Sequence, residues 1–538
     1  MPSPSPMPES GTDPTTPVLQ LMNGLAHLVT DATIGVATGV IAARLMRRAQ
    51  LHWSWAAGGF ACDVLAAGSP LGALASTVGI ALLSATLCGR RWHRQDLALG
   101  ADLEALAESR LTPVRLARSG ASRLALARRL RRGDHAGLRD GELVVGCEES
   151  GRRVTIPSGD LEGRHALVVG STGSGKTVTQ VWIAVRSIER GMGAVVVDPK
   201  GDARMREGLA RAARDAGRAF IEWTPEGPWV YNPYARGSET QIADKVLAGE
   251  RFTEPHYLRQ AQRYMGHVVR ALRRSDVEVS LRRIVDQLDP GELEVLARTL
   301  PEPESGRLHD YLDSLSTRQQ ADLSGVRDRL AILAESDIGP WLDPETVGAP
   351  RFDLVGAVRA SAVVYFSLES DSRPLLAQML AAALIQDLQA TVAELQREPT
   401  PTLVVIDEFS AVAAEHVVRL FGRARSAGFS LLLGTQELSD LRLAGRETVL
   451  EQVMGNLSAL IAHRQVVPQS AELIARLAGT RGAWRASQRD DGSITRSRTR
   501  VPRLQPDEVM HLERGWAAVI GLAGGESRGA RIARVFSE

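Results

Sequence analysis

The chain has 538 residues, 44% of them hydrophobic, and a formal net charge of +1. That length predicts two or three domains, and the near-zero charge excludes attraction to nucleic acid or membrane by overall charge, leaving only local patches. Cys62, Cys88 and Cys147 offer neither metal-ligand spacing nor a disulfide framework, and suit a reducing compartment.

Residues 1–17 are rich in Pro, Ser and Thr and are expected to be disordered. Residues 18–94 read as a transmembrane region. Val64 to Cys88 is a run of 25 residues without a charge, long enough to cross a bilayer as a tilted helix. The basic flank Gly89–Arg94 puts its end on the cytoplasmic side. A weaker span runs from Val18 to Ala43 and carries Asn23, His27 and Asp31; its flank, Arg44 to Arg48, is also basic. Two simple spans cannot both end inside. Either the first lies at the interface, or Trp53–Ala67 makes an extra short pass turning at Gly68–Gly72, or the charge rule is broken. The expectation is two spans with both termini cytoplasmic, against a soluble helix hairpin as the alternative. Residues 95–140 form a basic linker, with eight arginines and no acid from Arg110 to Gly133. It suits anionic lipid, nucleic-acid phosphates or plain solvation.

The first part of a nucleotide-binding domain is expected over 141–237. Leu143–Cys147 and Arg153–Ile156 read as an antiparallel lead-in. The apolar run Ala166–Val169 then enters Gly170-Ser171-Thr172-Gly173-Ser174-Gly175-Lys176-Thr177, and a helix continues from Val178. This is the P-loop pattern, strand before and helix after. Its glycines let backbone N–H groups close around phosphate oxygens at the positive end of a helix. Lys176 is expected on the β- and γ-phosphates and Thr177 on Mg²⁺. Ala194–Val197 reads as a buried strand ending in Asp198-Pro199-Lys200-Gly201-Asp202, a signal that is weak by itself. Over 238–345 the spacing turns helical, as in Leu258, Ala261, Met265, Val268 and Leu272, and prolines 290, 301 and 303 divide it. An all-α insertion is expected there.

The second part of the nucleotide-binding domain is expected over 346–538. Leu403–Ile406 runs into Asp407-Glu408, the Walker B arrangement: Asp407 for the metal ion, Glu408 to orient or deprotonate the attacking water. The pairing of this motif with the P-loop predicts ATP hydrolysis rather than binding alone. Phe429–Thr435 is a strand ending at Gln436, a candidate γ-phosphate sensor. Arg425 or Arg423, with Arg464 as rival, could act on a neighbouring subunit's site. Residues 480–500 read as a mobile hairpin or loop, and Trp516–Ile520 as the last strand. Pore contacts are sought in Lys245–Arg274 and in that loop.

The assembled motifs, GSTGSGKT at 170–177, DPKGD at 198–202, YNP at 231–233, VVIDEFSAV at 404–412, GRARSAGFSLLLGTQ at 422–436 and GN at 455–456, resemble the type IV secretion coupling proteins of the TraD/TraG type. The resemblance covers nearly everything after residue 140. It implies an α/β fold: a RecA-like P-loop ATPase core with an all-α inserted domain and an N-terminal transmembrane region. It also implies ATP and Mg²⁺, a homo-hexamer in the bacterial inner membrane with its ATPase domain cytoplasmic, and a relaxase and type IV secretion channel proteins as partners. The cargo would be single-stranded DNA. Aromatics make up only 4% of the chain, so Arg and Lys contacts to the backbone would carry DNA binding. The competing readings are an FtsK-like translocase of double-stranded DNA and a protein-secretion ATPase.

Overall fold

The computed structural model describes residues 16–49, 51–74, 76–98, 142–149, 151–157, 163–249, 252, 254–412, 414–442, 447–488, 494–522 and 529–537. The expected disordered segment before residue 16 and almost all of the basic linker lie outside them. The chain divides into two compact units: Met1–Ala127 with Arg481–Val501, and Arg128–Thr480 with Pro502–Glu538.

In the first unit the expectation of two membrane spans is not met. The Val64–Cys88 run is not one helix. It is divided among helices Ser54–Ala66, Pro70–Leu74 and Thr77–Ala98. Gly68 adopts a left-handed φ of 69° and Pro70 starts the next helix, so composition suited a span that the backbone does not make. Instead the weaker candidate is continuous, as helix Thr16–Arg48. Among the described residues of this unit it is the one helix, 31 residues from Val18 to Arg48, that is long and apolar enough to cross a membrane. Its apolar side chains stand exposed, among them Leu21, Leu25 and Val29. It packs on helix Thr77–Ala98 through Gly35, Gly39 and Ala43. A Cβ at Gly35 would stand 2.8 Å from the Ile80 Cβ, the small-residue contact that lets membrane helices approach closely. Gly35 meets Ile80 and Gly39 meets Ser84, whereas Trp53 meets Gly89 and Asp63 meets Gly79. Thr16–Arg48 and Thr77–Ala98 therefore run parallel, with Ser54–Ala66 returning between them. Both basic flanks fall at one end, where Arg47 lies over Trp92 and Arg90 over Trp53.

The second unit is built on one sheet. Its strands are β1 (Glu142–Cys147), β2 (Arg153–Pro157), β3 (Ala166–Val169), β4 (Gly193–Asp198), β5 (Phe220–Trp223), β8 (Val363–Ser367), β9 (Thr402–Ile406), β10 (Phe429–Thr435), β11 (Ala459–Ala462), β14 (Trp516–Gly521) and β15 (Gly529–Val535). Strands β6 (Val230–Tyr231) and β7 (Arg351–Phe352) pair separately; β12 (Thr480–Gln488) and β13 (Ile494–Pro502), which fall almost wholly in the first unit, form a two-stranded element over the 480–500 stretch. The order is β2-β1-β15-β14-β11-β3-β10-β9-β4-β8-β5. From β11 to β5 neighbouring strands are parallel; β14, β15, β1 and β2 extend one edge antiparallel. The parallel strands are apolar runs because helices cover both faces. Strand β15 follows the stretch expected to be the last.

Between β6 and β7 the described residues are helical: Glu239–Leu247, Pro255–Arg274, Leu281–Asp286, Pro290–Ala297, Glu304–Asp313 and Thr317–Ala334, then a short 3₁₀ turn. Pro290 occupies the first turn of its helix, where its missing N–H costs nothing. Tyr264, Val268, Leu272 and Leu330 are buried in the same continuous apolar cluster as the sheet's Leu167 and Val195. Helix Pro374–Leu395 is also apolar enough for a span, but it is mostly buried as a core helix. Lys245 anchors the helical insertion to it. The Lys245 Nζ, 2% exposed, donates to Asp387 Oδ1 at 2.5 Å and to the carbonyls of Pro233 and Arg236. The start of the stretch expected to touch DNA is thus a core ion pair.

Candidate functional site

The P-loop sits where β3 ends. Gly175 has a φ of 116°, a conformation that side chains resist, and hands the chain directly to helix Lys176–Glu189. The loop is strapped to the strands on either side: the Gly170 N–H donates to the Thr435 carbonyl at the end of β10, and the Ser171 N–H to the Arg464 carbonyl beyond β11. Strand β10 lies between β3 and β9, so three consecutive strand ends deliver Lys176, Gln436 and the Asp407-Glu408 pair to one place.

They meet on a single oxygen. Glu408 Oε1 receives the Lys176 Nζ at 2.6 Å, the Gln436 Nε2 at 3.1 Å and the Lys200 Nζ at 3.2 Å. The Lys176 Nζ also lies 2.9 Å from Asp407 Oδ1. Burial raises the Glu408 carboxyl, but Lys176 and Lys200 outweigh it and hold the group below the ordinary carboxylate range. For Lys200 burial works against the charge, and Glu408 wins, raising the amine above its usual value. Glu408 has a φ of 45°, rare for a residue with a side chain. Such strain concentrates at functional sites. A side chain at Gly434 would collide with Asp407 Oδ1 and the Gln180 amide, which explains the glycine inside β10.

A cavity of about 690 Å³ opens here. The loop from Gly170 to Val178 lines it, Ser174 excepted, with Asp407, Glu408 and Gln436 on the other wall. Several buried polar atoms in this neighbourhood have no hydrogen-bond partner: Ser171 Oγ, Ser174 Oγ and both atoms of the Gln180 amide. Such groups are costly unless a polar ligand satisfies them, so the residues fit a phosphate and a cation. Among the described residues no group of three or more His, Cys, Asp or Glu could hold a metal alone. Thr177 and Asp407, both lining the cavity, fit Mg²⁺, which takes one or two protein ligands plus substrate phosphates. A second cavity of about 820 Å³ continues past Gly175 and Val178 along the helix, between Trp182 and Arg534.

The arginine candidates do not reach this cavity in their own chain. Arg425 precedes β10, and its Nη2 donates to the Asn456 carbonyl at 2.9 Å. It packs beside Gly163, ahead of the start of β3, whereas the P-loop follows the end of that strand. Arg423 and Arg464 are exposed outside the cavity lining. The linings instead include Arg204, Arg211 and Arg514, none of which carries a motif signal. Lys200, from the DPKGD turn, lines the same cavity.

His463 supports the loop from beneath. Its Nδ1–H donates to the Trp516 carbonyl, so Nε2 accepts from the Thr179 hydroxyl at 2.8 Å; the tautomer follows from the carbonyl partner. Burial lowers His463 to about 4, and burial with Arg425 lowers His165 to about 3. A histidine depressed on folding stabilises above its unfolded value of 6.5 and loses that contribution as pH falls through the folded value. For His463 the loss is on the order of 3 kcal/mol between pH 6.5 and about 4. The melting temperature should fall over that window, and His463→Gln should flatten the fall. Equal slopes in both proteins would rule His463 out as its source.

Comparison with known proteins adds what the chain is similar to. The sequence model described as the TraM recognition site of TraD and TraG matches residues 401–514. The type 4 coupling protein DotL of Legionella pneumophila is 22% identical over 367 residues, 56% of this chain and 47% of DotL. The chain thus spans about half the length of that curated relative. An unbound bacterial conjugative coupling protein, TrwBdeltaN70, superimposes with a TM-score of 0.53 at 19% identity, over 76% of this chain and 91% of its own. TrwB in complex with ADP and Mg²⁺ gives 0.53 at 18% identity, over 77% and 92%. The fold is therefore the RecA-like α/β core of those structures. Over residues 401–514, and in the order of its motifs, the chain is similar to coupling proteins of type IV secretion.

Proposed function

We propose that this protein is a membrane-anchored ATPase that couples a relaxase–DNA substrate to a type IV secretion channel and drives single-stranded DNA transfer. The observation that carries the reading is the convergence of Lys176, Gln436 and Glu408 from three adjacent strand ends beside a polar cavity. TrwB, with which the fold is shared, has been solved with ADP and Mg²⁺ and with an ATP analogue.

In this reading the loop Gly170–Thr177 binds the phosphates of ATP, with Lys176 turned from Glu408 toward them. Thr177 and Asp407 hold Mg²⁺, which neutralises charge on the phosphates when bound. Glu408 takes a proton from water as the water oxygen bonds to the γ-phosphorus. The bond to the β,γ-bridging oxygen breaks with its electron pair, leaving ADP and inorganic phosphate. Gln436, bonded to Glu408, reports the terminal phosphate. Arg425 would serve a neighbouring subunit in a homo-hexamer, since it lies away from its own site. Helix Thr16–Arg48 anchors the protein in the inner membrane, and the nucleotide-binding unit is cytoplasmic.

The test is steady-state ATPase of the full chain in nanodiscs, with and without single- and double-stranded DNA. Lys176→Ala should lower turnover by about 10²–10³-fold. Stimulation mainly by single strands, falling steeply with salt, is the expected result. Stimulation by duplex alone would favour an FtsK-like translocase; indifference to all DNA would favour a protein-secretion ATPase.

A further inference from the structure

The turn after β4 is held from both ends. Asp198, 1% exposed, accepts from the Lys200 N–H at 2.9 Å through Oδ1. Its Oδ2 accepts from the Asp202 N–H at 2.6 Å and the Tyr365 hydroxyl at 2.7 Å. Gly201 has a φ of 74°, and a Cβ there would stand 2.6 Å from the Ser367 Oγ. Asp202 then caps helix Ala203–Asp215 by accepting from the Arg204 and Met205 N–H groups. Both ends of the turn are fixed, and this determines where Lys200 points. Its side chain is 45% exposed and reaches across from β4 to Glu408, whose side chain is only 10% exposed.

The sheet order gives that reach a meaning. Lys176 and Gln436 approach Glu408 from the β3 and β10 side; Lys200 approaches from β4, the opposite neighbour of β9. Three donors therefore share one carboxylate oxygen, which offers two lone pairs. Three donors crowd that oxygen, and the cavity they border is lined by as many bases (Lys176, Lys200, Arg204, Arg211, Arg514) as acids (Asp198, Asp202, Glu207, Asp407, Glu408), with the buried Ser171 Oγ left without a partner. A triphosphate in the loop would draw off Lys176. Lys200 would then be the cation left on the far side of Glu408, within the same cavity.

We propose that Lys200 is a second phosphate-reading lysine: it holds Glu408 while the terminal phosphate is absent and moves to that phosphate when ATP is bound. ADP, which lacks the group, leaves the carboxylate restrained. This rests on the ATPase reading above and deepens it, by assigning the discrimination between triphosphate and diphosphate to a residue of the DPKGD turn. The step itself is an exchange of ion-pair partners; no bond is made or broken until Glu408, released, takes the proton from water in the hydrolysis already described.

The test is equilibrium binding, with Mg²⁺, of a non-hydrolysable ATP analogue and of ADP to the full chain in nanodiscs. Lys200→Met should weaken the analogue by about 10-fold, the scale of one charge-assisted hydrogen bond, while ADP changes by less than about 2-fold. Lys200→Arg should restore most of the preference. Parallel loss of both ligands would mean that the lysine only supports the turn, and an unaltered ratio would mean that it reads nothing; either overturns the proposal. Binding does not require turnover, so the ratio decides the matter even if the wild-type chain hydrolyses no ATP. A wild-type chain that binds neither nucleotide would instead overturn the ATPase reading and this one together.

Discussion

Glu408→Gln should bind ATP about as well as the wild-type chain and turn it over about 10²–10⁴-fold more slowly, the usual contribution of a positioned general base. The substitution keeps shape and an acceptor oxygen. The Lys176 and Gln436 contacts at 2.6 and 3.1 Å retain a partner, and Asp407 still neutralises Lys176. What is lost is the ability to take a proton. Phosphate release measured beside fluorescent-nucleotide binding separates the two effects. Full turnover in the variant would remove Glu408 as the water-activating residue. Loss of binding would make it a structural partner of the P-loop instead.

Asp387→Ala should cost about 3–5 kcal/mol of stability, as removal of one partner from a buried ion pair does. Asp387 is 5% exposed and is bonded on both oxygens, by Lys245 at 2.5 Å and by the Tyr231 hydroxyl at 2.7 Å. Without it Lys245 keeps two carbonyl acceptors but no counter-charge. Because this triad ties the helical insertion to core helix Pro374–Leu395, the insertion should loosen first. Thermal unfolding with proteolysis of the 239–334 helices measures both. The double variant Lys245→Met/Asp387→Leu should recover much of the loss, because the surrounding cluster is apolar. A single variant with unchanged melting would show that water or a rearranged side chain reaches Lys245.

How much of this was legible in the sequence follows from the range of the interactions involved. The P-loop, the Walker B pair and the strand ending at Gln436 are local patterns, each needing only its own backbone to present its residues. The order β3-β10-β9 was not local. Residues 176, 408 and 436 share one oxygen because β10 is laid between two strands distant in the chain. The same order turned a DPKGD motif of little individual weight into a lysine bonded to Glu408. It also left Arg425 at the opposite end of β3 from the P-loop of its own chain.

In the membrane region composition decided too much. An uncharged run of 25 residues met every requirement for a span except continuity. Gly68 and Pro70 break it, while the less apolar stretch ahead of it is an unbroken helix. Lys245 shows the converse. It opens a stretch in which pore contacts are sought, but only packing could reveal a carboxylate 142 positions later in the core. The sequence alone determined the chemistry, because phosphate-binding loops and acid pairs are written within a few residues. Which charges meet, and which are buried, was decided by the tertiary structure, because electrostatic partners are chosen by distance in space and not along the chain.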